Sequence, residues 1–136
     1  MAKSNRKGRS KGDGRFVRLG YAILESEAWK YLTPAERSVY LNIRFLYSGF
    51  NNGSIGLGSR AAAKWSNINK DTAARCLKRL LEVGLIERTR PAGFSCKVRL
   101  APEWRLTDIK CDLTNQLPSR AYQSWRPPLE KSTVSK

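Results

Sequence analysis

From Asn69 to Gly84 the chain spells one amphipathic helix with both ends marked, and this segment limits the fold more than any other. Asn69 is suited to cap it, Ala73, Leu77 and Leu80 recur at helical spacing, and Gly84 is placed to stop it. Such a stripe must rest on a core, which leaves the polar face open. Just upstream, Ser59 is read as the cap of a shorter helix, Arg60 to about Trp65, whose Ala61, Ala62 and Ala63 permit close approach of another helix. Ser66-Asn67-Ile68 forms the turn between the two.

The core itself is expected from residues 33–48. Thr33-Pro34-Ala35-Glu36 is a helix start with Thr33 as cap, Pro34 first in the helix and Glu36 reaching back. Val39, Tyr40, Leu41, Ile43, Phe45, Leu46 and Tyr47 make the helix too apolar to stand alone. Before it, Phe16–Leu24 is read as an extended lead-in and Glu25–Leu32 as a short helix docking Ala28, Trp29 and Leu32. After it come a turn at Asn51-Asn52-Gly53 and a short strand, Ser54–Leu57. Beyond Gly84, Leu85–Thr89 and Cys96–Leu100 read as a two-stranded hairpin about a turn at Arg90–Ser95. In its second strand Cys96, Val98 and Leu100 alternate with Lys97 and Arg99, and Trp104–Thr107 adds a further extended piece.

The chain has 136 residues, 26 Lys+Arg against 11 Asp+Glu, a net charge of +15 and no histidine. That length suits one domain with tails: a basic arm over about residues 1–15, a domain over 16–112 and a partly docked tail over 113–136. Without histidine, triad hydrolysis and His-based metal sites drop out, and no catalytic role or cofactor is expected. The charge calls for a polyanionic partner. Cys76, Cys96 and Cys111 form no CxxC pair, which fits a reducing cytoplasm. No apolar run is long enough to span a membrane, and Met1-Ala2-Lys3 leads into charge, so neither membrane nor export is expected. The mixed trio Asp108, Cys111 and Asp112 makes a poor metal site.

The order helix, short strand, helix, helix, strand, turn, strand resembles the winged helix-turn-helix fold, an α+β class, mainly α, with a two- to three-stranded antiparallel wing sheet. Asn69–Leu80, Val83-Gly84-Leu85-Ile86 and the Arg90–Ser95 wing carry the resemblance, which covers about residues 33–100. It is similar to MarR-like and GntR-like bacterial regulators and to the N-terminal domains of plasmid and phage replication initiators. The resemblance implies a sequence-specific protein of double-stranded DNA, a bacterial transcription regulator associated with the nucleoid. A replication initiator or origin-binding accessory protein, a basic RNA-binding protein and a protein-interaction module are the alternatives. A homodimer is expected by the same resemblance.

On that reading Asn69, Lys70, Asp71, Thr72, Ala74 and Arg75 face the major groove, with Arg75 the first choice for guanine O6 and N7. Arg60 and Lys64 suit phosphates, Arg88, Arg90 and Lys97 belong to the wing, and Lys78 and Arg79 complete the basic surface. Residues 60–99 hold ten basic side chains against three acidic ones. Plainer readings stand beside these. Lys78 and Arg79 can be a solvated face, Asn69 only a cap, and Arg75 a partner for Asp71 at i, i+4. Trp29, Trp65, Trp104 and Trp125 could stack on unpaired bases, but their spacing assigns them to the core.

Overall fold

Ser26 joins two short helices, α1 (Tyr21–Leu24) and α2 (Glu27–Tyr31), in the computed structural model, which describes residues 14–95 and 98–128. Its hydroxyl donates to Ile23 O at 2.6 Å and accepts from Trp29 N–H at 3.1 Å, closing one helix and capping the next. The lead-in is thus helical in its last turn rather than extended throughout, because helical curvature carries Ile23 into the core. Ala28 and Leu32 are buried, and Trp29 packs edge-on against Tyr40 at 5.7 Å. The arm expected over residues 1–15 falls, apart from the exposed Gly14 and Arg15, outside the described residues.

The next helix, α3 (Pro34–Leu46), starts as its residues dictate. Glu36 N–H donates to Thr33 Oγ1 at 3.3 Å and Thr33 N–H to Glu36 Oε1 at 2.9 Å, so each satisfies an end of the other. Val39, Tyr40 and Ile43 are fully buried. The helix stops two residues before Ser48, where Asn51 Nδ2 donates to Leu46 O at 3.1 Å and takes up an orphan carbonyl.

A strand β1 (Ile55–Gly56) leads into α4 (Ser59–Ser66) and α5 (Lys70–Glu82), both packed on α3 and on each other. Gly58, with φ −95° and ψ 173°, takes the cap position of α4, so Ser59 is the first helical residue and not the cap. Asn67 turns left-handed at φ +58° to end α4, and Asn69 Oδ1 accepts from Thr72 N–H at 2.8 Å to start α5. Ala62 and Ala63 of α4, and Ala73, Cys76, Leu77 and Leu80 of α5, form the buried seam.

Beyond Gly84 come β2 (Ile86–Arg90), β3 (Gly93–Ser95), β4 (Val98–Leu100) and β5 (Glu103–Leu106). The expected pairing of the first with the Cys96–Leu100 strand does not occur. Instead β5 runs between β1 and β2 in a three-stranded antiparallel sheet, with Ile86 opposite Leu106 and Ile55 opposite Trp104. Trp104 and Leu106 are nearly or wholly buried, and that apolar burial wins the central place. Pro91, which has no N–H for a ladder, follows the last residue of β2, and β3–β4 forms its own small hairpin. The result is an α+β fold with five α-helices and a three-stranded antiparallel sheet among the described residues.

Two polar devices hold the far end. Asn52, fully buried, accepts from Leu106 N–H at 2.6 Å and donates to Leu106 O and Lys110 O at 3.1 and 2.8 Å. Arg44, buried on α3, donates to Asp108 Oδ1 at 2.8 Å and to Tyr40 Oη at 2.9 Å. Further on, the Ala121–Gln123 turn buries Tyr122, and Trp125 meets Tyr31 at 4.9 Å, so the tail docks on the core through these two rings. No helix among the described residues is long and apolar enough to cross a membrane.

Candidate nucleic-acid interface

The register of α5 sorts its side chains into three directions. Ala73, Cys76, Leu77 and Leu80 point to the core, where burial pushes the Cys76 thiol above its ordinary pKa. Asp71 and Arg75 point outward and are exposed. Lys70, Ala74, Lys78 and Leu81 turn toward the strands, and there α5 forms one wall of a groove of about 760 Å³.

The opposite wall comes from the start of α4, from β2 and from the β3–β4 hairpin. Arg60 of α4, Lys70 and Lys78 of α5, Arg88 of β2 and Arg99 of β4 line this groove, and among the described residues no acidic side chain does. All five are exposed. Its floor is apolar, made by Ala74, Leu77 and Leu81 on one side and by Leu100, Pro102 and Trp104 on the other. Trp104 is fixed by an Nε1–H donated to Leu57 O at 2.9 Å. Five cations that share one depression without a counter-charge raise the local potential, and anions gather there.

Of the residues expected to read nucleic acid, Arg60, Lys70, Ala74, Lys78 and Arg88 meet in this groove. Asn69, Asp71, Thr72 and Arg75 lie beside it along the start of α5. Asn69 does cap the helix, yet the residue stays exposed, so its amide nitrogen faces solvent. Arg75 forms no ion pair with Asp71; its Nη2 donates to Thr72 Oγ1 at 3.4 Å and the side chain stays exposed. Lys64 is exposed on α4 but outside the groove.

Two expected contacts are engaged elsewhere. Arg79 sits on the other flank of α5, 4.9 Å over the Tyr31 ring, and its guanidinium pairs with Glu82 at 3.3 Å and Glu36 at 3.7 Å. The helical turn places it about 100° beyond Lys78, toward α2 and α3. Arg90 donates to Ala101 O at 2.8 Å and pairs with Glu103 at 3.3 Å, which ties off the end of the sheet. Lys97 falls outside the described residues. Arg99 was not singled out by sequence reasoning, although the alternation of residues 96–100 already set it apart from Val98 and Leu100.

The tryptophans divide. Trp104 is core, Trp29 and Trp125 are half-buried, and Trp65 is 46% exposed beside Phe45, 51% exposed, at 5.7 Å. Trp65 therefore leaves the core that its spacing suggested, because the alanines beside it fill the seam. Asp108, Cys111 and Asp112 do not converge on a metal. Asp108 holds Arg44, Asp112 accepts from Asn52 N–H at 2.9 Å, and the Cys111 thiol lies on Asn52 O at 3.5 Å. Comparison with protein families, with curated protein sequences and with solved structures returned no match.

Proposed function

We propose that this chain binds double-stranded DNA as a winged helix-turn-helix protein, with α5 entering the major groove and the β3–β4 hairpin serving as the wing. The observation that carries this reading is the convergence of Arg60, Lys70, Lys78, Arg88 and Arg99 from four elements on one groove, which no acidic side chain among the described residues lines, beside the exposed start of α5. Such cations contact phosphates and set the register, while Arg75, Asn69, Asp71 and Thr72 meet base edges. Ala74 offers a methyl group to thymine. The biological role that fits is a sequence-specific transcription regulator, as the resemblance of the element order implies.

The test is fluorescence anisotropy with duplex DNA over a salt series. A logarithmic affinity that falls with salt, with a slope of about −4 to −5 for five phosphate contacts, is expected. Adding a lysine- or arginine-contacted arm steepens it further. Absence of duplex binding at about 50 mM salt, where non-specific contacts are strongest, overturns the reading. Selection of bound sequences from a randomised duplex pool then tests base reading. A pool that stays random restricts α5 to backbone contacts.

A further inference from the structure

The groove has a second chemical character that a duplex does not use. Its rim is cationic, but its floor of Ala74, Leu77, Leu81, Leu100, Pro102 and Trp104 is apolar and concave. Phosphates and base edges are polar, so apart from the Ala74 methyl group DNA meets the rim and leaves the floor to water. At about 760 Å³ the groove falls within the ~300–1,000 Å³ range typical of small-molecule sites, which likewise combine apolar walls with a few placed polar groups. Among the described residues no acidic side chain lines it, so a cationic ligand finds no counter-charge and a neutral one leaves the rim unsatisfied. Residues 3–11 of the same chain carry five basic side chains and would be repelled.

We propose that this groove is the binding site of a small amphipathic organic anion, one with an apolar ring system or branched chain for the floor and a carboxylate, sulfonate or phosphate for the rim. Arg99 and Lys78 stand on opposite walls, on β4 and α5, so an anionic group at the mouth is met from both sides. The same cations would hold DNA phosphates, so ligand and duplex exclude each other. That last clause rests on the DNA-binding reading; the ligand site does not.

The probe is 8-anilinonaphthalene-1-sulfonate, followed by fluorescence and calorimetry with the full chain. One saturable site is expected, and N-phenyl-1-naphthylamine, which lacks the sulfonate, and inorganic sulfate, which lacks the rings, should each bind at least about tenfold more weakly, the loss of one good contact. Ala101→Phe projects from an exposed position into the groove wall and should weaken the probe by about tenfold or more, as should Arg99→Gln. Unchanged circular dichroism shows that both variants are folded. Phe45→Ser, at the exposed Phe45–Trp65 pair, should leave probe affinity unchanged. Equal affinity for the neutral analogue, or full affinity in Ala101→Phe, overturns the site. Probe bound equally with and without saturating duplex overturns mutual exclusion. If the probe binds the groove and no duplex binds at low salt, only the DNA reading fails; if duplex binds and the probe does not, only the ligand site fails.

Discussion

Arg44 and Asp108, 64 residues apart in sequence, meet at 2.8 Å with 5% and 16% of their side chains exposed. The pair ties the last turn of α3 to the segment that follows β5. Removing one partner leaves a charge in a site where water reaches it poorly. Asp108→Ala should therefore lower the unfolding free energy by about 3 kcal/mol, read from urea denaturation midpoints. Replacing both, as Arg44→Met with Asp108→Leu, should recover most of that loss, since no charge is then stranded.

The Asn52 side chain satisfies four backbone groups at the end of β5 and just beyond it, the N–H of Leu106 and the carbonyls of Leu106, Ile109 and Lys110. Asn52→Ala should cost about 2–3 kcal/mol by leaving buried partners unpaired. Hydrogen exchange at the Leu106 amide should accelerate in step with that loss.

Gly84 lies at φ +84°, and a Cβ built there would stand 2.8 Å from the Ala121 carbonyl carbon. Gly84→Ala combines an unfavourable backbone with displacement of the tail, at a cost of about 1–3 kcal/mol. A red shift of the tryptophan emission as Trp125 leaves Tyr31 would show that the tail had moved.

Burial pushes the Tyr40 phenol above its ordinary value of 10.0, with Arg44 opposing the shift and Asp108 adding to it; burial raises Tyr122 as well. Because the folded state holds these protons more tightly than the unfolded one, their contribution is complete below about pH 10 and is lost as pH rises beyond it. Denaturation midpoints should be flat from about pH 7 to 9 and fall steeply above about pH 10. Tyr40→Phe should flatten that fall.

Arg99 and Arg79 separate the groove from the scaffold. Arg99→Gln should weaken all duplexes alike and reduce the salt slope by about 1. Arg79→Gln should leave DNA affinity unchanged and lower stability by about 0.5–1 kcal/mol, the worth of a half-exposed pair over an aromatic ring. Arg75→Ala should cost about 1–3 kcal/mol at one base position and little on random duplex.

Local signals were readable in advance. The Thr33–Glu36 box, the Asn69 cap and the Gly84 stop each depend on residues within one turn, and each stands where the sequence placed it. What escaped depends on distant partners. The clean alternation of residues 96–100 offered a nearby mate for β2, but β5, with Trp104 and Leu106 buried, takes that place. Nothing adjacent to Arg44 announces Asp108. In the groove, residues on α5 were legible from helical period, whereas Arg79 and Arg90 were misplaced because Tyr31 and Glu36 for the one, and Glu103 for the other, come from other elements.

The separation of duties around α5 has an engineering consequence. Ala73, Cys76, Leu77 and Leu80 anchor the helix, and Asn69 starts it, while Asp71, Ala74, Arg75 and Lys78 contribute almost nothing to that anchorage. Those four positions can be exchanged as a set without disturbing the scaffold, so a small combinatorial library over them should yield folded descendants with new targets.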